Sequence, residues 1–133
     1  MENELKKDFT RRLSQCNSGE MIVIIYDIFF AYVDDIRQAR CKGDHDGQKD
    51  AIRNAQSVLD ELKNNFKTKG LDVPQDLCWL YGTFLEDYLH DVEICQRFAK
   101  RSRERMAEII LEKTKMTALE AFHTIHNLSL IHI

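Results

Sequence analysis

The hydrophobic residues of this chain recur at helical spacing between polar turns. The run from Met21 to Val33 is almost wholly apolar, and Asp27 is its only charged residue. Apolar positions continue at helical spacing through Ile36 and Ala39, and no second strand candidate could pair with the run, so a helix is favoured over a buried strand. We predict a helix at about 17–42 that must be covered by its own domain or by a partner.

Local signals predict where three helices begin and end. Asn17 can cap the first of them, and Glu20, three residues on, completes a capping-box arrangement. Glycine and proline bracket two turns, at 43–47 and at 70–74. We therefore predict two further helices at about 46–66 and 74–96, the first with the apolar stripe Ile52, Ala55, Leu59, Leu62 and Phe66.

The C-terminal part of the chain has no glycine or proline after Gly82. A polar, basic stretch interrupts the apolar stripe between Gln96 and Ser102, and we predict a break there, followed by a helix at about 101–126 that folds back. The alternative is one unbroken helix, which would leave the bundle open and require a dimer or an exchange of elements between chains. The remaining residues, 127–133, form a tail of doubtful origin.

Length and pattern together predict an all-α protein built as an antiparallel four-helix bundle. The 133 residues are enough for one core, which we place in a single domain at 1–126. The N-terminus has no apolar segment typical of a signal peptide, and the apolar run at 21–33 is shorter than the roughly 20 residues that span a bilayer. We expect a cytoplasmic protein without membrane insertion.

The titratable residues do not predict a catalytic or metal site. A di-iron bundle needs two Glu-x-x-His motifs, and this chain has one, Glu120 to His123. The four cysteines are widely separated and are expected to be reduced thiols, with Cys78 and Cys95 semi-buried. The basic cluster at 97–105 is interrupted by the acidic Glu104 and is more typical of a solvated face than of a nucleic-acid site. We expect no enzyme activity, no cofactor and no nucleic-acid partner, with a bundle metalloenzyme as a weak alternative.

Four segments, taken in order, resemble the flagellar export chaperone family FliS. They are Phe9 to Leu13, the Asn-Ser-Gly-Glu-Met-Ile-Val-Ile-Ile-Tyr-Asp run at 17–27, the helix segment at 51–62, and Leu-Tyr-Gly-Thr-Phe-Leu at 80–85. The resemblance covers about residues 8–92. It implies a cytoplasmic helical bundle that binds the C-terminal segment of flagellin, prevents its premature polymerisation and delivers it to the flagellar export apparatus.

The resemblance also implies further partners and a capping segment. Export-apparatus or other flagellar proteins would be additional partners, and the chaperone would be a monomer or a homodimer. Residues 1–16 would form a short N-terminal capping segment over part of the binding surface, with Phe9 and Leu13 as its apolar anchors. The alternative is that these residues form only a frayed amphipathic helix.

Apolar residues on two of the predicted helices are the candidates for a partner-binding groove. Ordinary core packing would explain most of the aromatic residues among them, and the sequence leaves both interpretations open. A helical adaptor with a partner other than flagellin also remains open as a function. The predicted groove residues are Ile22, Ile25 and Phe29 on the helix at 17–42, and Leu80, Phe84 and Tyr88 on the helix at 74–96.

Overall fold

The protein is all-helical over the residues that the structure describes. A computed structural model describes the backbone of residues 1–64 and 75–131, and their side chains except at 18 and 113–131. The five helices of the described chain are α1 (Asn3–Gln15), α2 (Ser18–Lys42), α3 (His45–Asn64), α4 (Gln75–Asp87) and α5 (Val92–Ile131). The predicted all-α class is confirmed.

Both ends of α2 are set by local hydrogen bonds that the sequence indicated. The backbone N–H of Glu20 donates to Oδ1 of Asn17 over 2.8 Å, and the Asn17 amide donates to the Glu20 carboxylate over 2.7 Å. At the other end Gly43 adopts a left-handed conformation with φ 68°, which glycine tolerates without a steric penalty. The N–H groups of Gly43 and Asp44 then donate to the last turn of the helix, at Arg40 and Ala39.

Helix α2 lies at the centre of the packing. It contacts α1, α3 and α5, whereas α4 packs against α3 and α5 and makes no backbone contact with α2 in the described chain. Every helix from α2 to α5 supplies buried apolar residues to one continuous core. The largest side chains that are fully buried are those of Tyr26, Phe29, Ile22, Ile36, Leu59, Leu62, Leu85 and Met106.

Helices α2 and α5 run antiparallel and in constant register. Arg37 near the end of α2 pairs with Glu93 at the start of α5, with Nη2 and Oε1 3.0 Å apart. Asp27 pairs with Arg103 in the middle, and Gly19 at the start of α2 lies against Ile110. Helix α5 is 40 residues long, about 60 Å at 1.5 Å per residue, and therefore extends past the first residue of α2.

The chain reverses earlier than predicted, and the break expected between Gln96 and Ser102 is wrong. Helix α4 ends at Asp87 and α5 begins at Val92, so the predicted helices at 74–96 and 101–126 are replaced by 75–87 and 92–131. The basic stretch at 96–102 lies inside α5. The chain does fold back after α4, which excludes one unbroken helix running through both segments.

Side chains that hold the turn at 88–91 explain its position. Asp91 caps α5, because its Oδ1 accepts from the N–H of Ile94 over 3.2 Å. The Cys95 thiol donates to the carbonyl oxygens of Leu85 and Tyr88, and Arg40 of α2 donates to the carbonyl of His90. These bonds satisfy carbonyl groups in the last turn of α4 and in the turn that follows it, without a glycine or proline.

Several predicted boundaries fall outside the described chain. The end of the helix predicted at 46–66 and the start of the one predicted at 74 lie at or within residues 65–74, which the structure does not describe. Helix α5 continues to Ile131, so no helix end separates the predicted tail at 127–133. The doubtful origin of that tail stays a prediction.

The α3–α4 contact depends on a glycine at its centre. Gly82 is buried in α4, and a Cβ atom added there would lie 2.5 Å from Cγ of Lys63 and 3.5 Å from the carbonyl oxygen of Leu59. Lys63 of α3 lies along this site and forms an ion pair with Glu86 of α4. The missing side chain at Gly82 therefore lets Lys63 reach its partner.

The two cysteines expected to be semi-buried are fully inside the core. Cys78 is 1% exposed and Cys95 is 0% exposed, whereas Cys41 is exposed at the end of α2. Burial raises the pKa of both core thiols from 9.0 to about 11, and for Cys95 the negative charge of Asp91 adds to the effect. The folded state therefore holds these two thiol protons more tightly than the unfolded chain does.

The buried thiols predict a loss of stability at alkaline pH. Because their pKa is raised in the folded state, their contribution is complete below pH 9 and is lost as pH rises from 9.0 to about 11. Each thiol should lower the free energy of unfolding by roughly 2 to 3 kcal/mol by pH 11. Urea unfolding at a series of pH values measures this slope. Cys78→Ala/Cys95→Ala should flatten this slope, and an unchanged slope in that variant would contradict the assignment.

A double-mutant cycle tests the close approach at Gly82. Gly82→Ala gains about 1 kcal/mol of helix propensity but pushes Lys63 away from Glu86. In a Lys63→Ala background that clash is gone, so the same substitution should be more favourable by about 1 kcal/mol. Urea denaturation of the four proteins gives the coupling. Equal effects of Gly82→Ala in both backgrounds would show that the helices do not approach as closely as described.

Candidate functional site

The six predicted groove residues do not line one groove. Ile22 and Phe29 are 0% and 1% exposed, and Ile25 is 8% exposed. These three residues of α2 are core residues, so the expectation that they line an open groove is corrected. The physical reason is that α2 is enclosed by α1, α3 and α5, and α4 lies across the core from it.

Leu80 and Phe84 lie on the outer face of α4, and Tyr88 follows them in the turn directly after the helix. The three residues are spaced four apart, and the N–H of Tyr88 still donates to the carbonyl of Phe84 over 3.2 Å, so they form one row. Leu80 is 54% exposed and Tyr88 is 39% exposed, whereas Phe84 is half-buried. A soluble helix rarely leaves residues of this size in one exposed row, so the row is a candidate contact surface.

An aromatic cluster joins this row to α5. The Phe84 ring lies 3.9 Å from Phe98 and 4.7 Å from Tyr88, measured between ring centroids, and Tyr81 meets Phe98 edge-on at 5.6 Å. None of these four side chains is fully buried. We call Leu80 and these four residues the aromatic seam: an apolar strip between α4 and α5, closed on its inner side and open to solvent on its outer side.

Trp79 lies at the edge of the aromatic seam. Its side chain is 46% exposed, and it lines a surface depression of about 490 Å³ with Gln75, Asp76 and Leu80. Large, partly exposed tryptophan and tyrosine side chains are typical of protein contact surfaces. Trp79 is the only tryptophan of the chain and can therefore report on events at this end of the seam.

A network of three charged residues links α1 to α2 and α5, on the side of the protein away from the aromatic seam. Asp27 is 21% exposed; its Oδ2 lies 2.7 Å from Nη2 of Arg12 in α1, and its Oδ1 lies 2.9 Å from Nε of Arg103 in α5. Phe9 is buried at 7% exposure, with the Arg12 guanidinium 5.5 Å from its ring centroid, and Leu13 is half-buried. Both predicted anchor residues are thus at least half-buried, and α1 packs on α2.

Helix α1 borders a second surface groove, distinct from the aromatic seam. This groove has a volume of about 550 Å³ and lies between α1, α2 and α5. Val23 and Ile24 form its apolar floor, Leu111 stands 55% exposed at its edge, and Arg12 and Glu20 supply charges of both signs. As placed here, α1 covers α2 and leaves the aromatic seam open.

The core beside these surfaces holds the buried hydroxyl of Tyr26. Tyr26 is 1% exposed, and its hydroxyl has no hydrogen-bond partner at acceptable geometry in the described chain. Ser102 lies close enough to lower the pKa of the Tyr26 phenol slightly, but its own hydroxyl donates to the carbonyl of Ala99 over 3.1 Å. Burial raises the pKa of Tyr26 well above its usual value of 10.0, so this phenol stays neutral and acts as a core residue.

Sequence reasoning missed three parts of these surfaces. Phe98 was overlooked because the expected break put it in a turn, although its spacing of four from Ile94 is a helical signal. Trp79 was not predicted to be a surface contact residue. Its exposure depends on how α4 is rotated about its own axis, which the sequence does not indicate. The partners of Asp27 were also missed, although a lone charge in an apolar helix signals a specific partner.

The described residues offer no metal site and no membrane helix. Residues 1–64 and 75–112, whose side chains are described apart from that of residue 18, hold no group of three or more histidine, cysteine or acidic residues arranged for a metal ion. None of the helices in the described chain is long and apolar enough to cross a bilayer. No family model, curated protein or solved structure matches the chain.

Removing the charge of Asp27 should release α1. In Asp27→Asn, Arg12 and Arg103 face each other without the shared carboxylate, and the loss of charge-assisted bonds should weaken α1 docking by about 1 to 2 kcal/mol. Hydrogen exchange of the α1 amides should then be about tenfold faster. Asp8→Asn is the matched control, because Asp8 pairs with Arg11 inside α1. Equal protection of α1 in all three proteins would rule out the ion network as its fastening.

Proposed function

We propose that this protein is a non-enzymatic binding module of the cytoplasm that acts as a flagellar export chaperone. Its client is the C-terminal segment of flagellin, which it keeps from polymerising and passes to the export apparatus. Helices α2 to α5 form the antiparallel four-helix bundle of this proposal, and α1 is the N-terminal capping segment. The observation that carries the proposal is the exposed apolar row of Leu80, Phe84 and Tyr88.

The geometry of the aromatic seam supports a helical occupant. Three apolar side chains spaced four residues apart, backed by Phe98, present a strip about two helical turns long. An amphipathic helix can lay its own apolar stripe on such a strip and bury large aromatic area. A disordered export client that folds on binding loses several kcal/mol to its own ordering, and burial of this kind offsets that loss.

The order of sequence segments supports flagellin as the client. The segments at 9–13, 17–27, 51–62 and 80–85 follow one another as in the FliS family, and the last of them begins with Leu80 and contains Phe84. The seam itself recognises an apolar helical face of any origin. A helical adaptor for a different protein is therefore the second candidate.

Two substitutions at equally exposed leucines test both the location of the binding site and the identity of the client. Leu80 and Leu111 are 54% and 55% exposed, on the aromatic seam and on the second groove respectively. Leu80→Glu should weaken binding of a peptide from the C-terminal segment of flagellin about tenfold, because a charge then lies in the apolar contact. Leu111→Glu should bind like the unchanged protein. Trp79 fluorescence and calorimetric titration measure the affinities.

The same experiment contains the outcomes that contradict the proposal. Weaker binding by Leu111→Glu alone would move the site to the groove beside α1. Absence of flagellin binding by the folded protein would end the flagellin proposal, and binding of another amphipathic helix would then favour the adaptor. Thermal melts of both variants must match that of the unchanged protein, because only then do affinities report on contact.

A further inference from the structure

The polar borders of the aromatic seam carry opposite charges. On α5, Arg101 and Arg105 follow Phe98 by three and seven residues, which places them on the same stripe of the helix. On α4, Asp76 precedes Leu80 by four residues and Asp87 follows it by seven; at 3.6 residues per turn both lie beside Leu80 on the side away from Phe84 and Tyr81. All four charged residues are exposed.

The antiparallel register of α4 and α5 keeps these two borders apart. Phe98 meets Tyr81 and Phe84, and Cys95 donates to the carbonyl of Leu85, so the two helices run past each other side by side. The aromatic rings fill the space between them. The acidic residues therefore line the α4 border of the seam, and the arginines line its α5 border.

Most of this charge is not engaged in strong contacts. Arg105 pairs with Glu108 over 3.5 Å, but both side chains are more than half exposed and such pairs are weak. Arg103, by contrast, is held by Asp27 on the α2 side of α5. The arginine border stands out in a chain whose net charge is -3, so it is a local feature rather than an overall excess.

We propose that the seam binds an amphipathic helix whose two polar edges carry opposite charges. Its apolar stripe lies on the aromatic seam, its aspartate and glutamate residues face α5, and its lysine and arginine residues face α4. This inference rests on the proposed function and adds the chemistry of the partner. Because reversing the direction of a helix exchanges its two edges, the charges also fix the direction in which the partner lies.

Two peptides of identical composition test the charge pattern. Both carry the same leucine stripe; one has all glutamates on one edge and all lysines on the other, and the second mixes them on both edges. The segregated peptide should bind the full chain about fivefold more tightly at low salt, and the difference should vanish at high salt. In Arg101→Glu/Arg105→Glu the preference should be lost.

A variant with the same change in net charge, made on a different surface, provides the control. Lys49→Glu/Arg53→Glu makes the same change in net charge on the exposed surface of α3 and should keep the full preference. Loss of preference in this variant would overturn the inference, because overall charge would then explain it. Equal binding of both peptides, with weaker binding of each by Leu80→Glu, would overturn the charge pattern and leave the proposed function intact. No binding of either peptide would overturn both.

Discussion

The burial of α2 is the constraint on which the rest of the structure depends. Its apolar side chains point in several directions, so one neighbouring helix cannot cover them. Ile22, Tyr26, Phe29, Val33 and Ile36 are each at most 2% exposed, and burying side chains of this size contributes about 1.5 to 3 kcal/mol apiece. Helices α1, α3 and α5 pack around α2 and cover these side chains. The chain must therefore reverse after α4, so that α5 can lie along α2.

The placement of the candidate binding surface follows from the same constraint. Because α2 takes the centre, α4 is left on the far side of the core, where α3 and α5 are its only neighbours among the described helices. Its outer face and the turn after it then keep Leu80 and Tyr88 in solvent, while Phe84 packs on Phe98. The one charged residue of the apolar run, Asp27, is used on the opposite side, where it joins α1 and α5. Over the described residues the protein thus has a covered central helix, an N-terminal helix held by ion pairs, and an aromatic strip that is open to solvent.

Sequence reasoning succeeded where the signals are local. The Asn17 cap, the glycine turn after Lys42 and the apolar stripe of α3 each depend on residues within a few positions of one another. It failed at the reversal, because that turn is held by Asp91, by the Cys95 thiol and by Arg40 from a distant helix, with no glycine to mark it. It also could not tell that Phe29 is a core residue and Phe84 a residue of the surface row. Core and surface aromatic residues share the same spacing and differ only in which neighbour covers them.

The role of the aromatic seam is tested most directly by the structure of this protein bound to the C-terminal segment of flagellin. We expect a helix of the client to lie along α4 and α5, with its apolar side chains on Leu80 and Phe84 and its acidic edge towards Arg101. A client helix seated on α2 in place of α1, with the aromatic seam still open to solvent, would contradict this expectation.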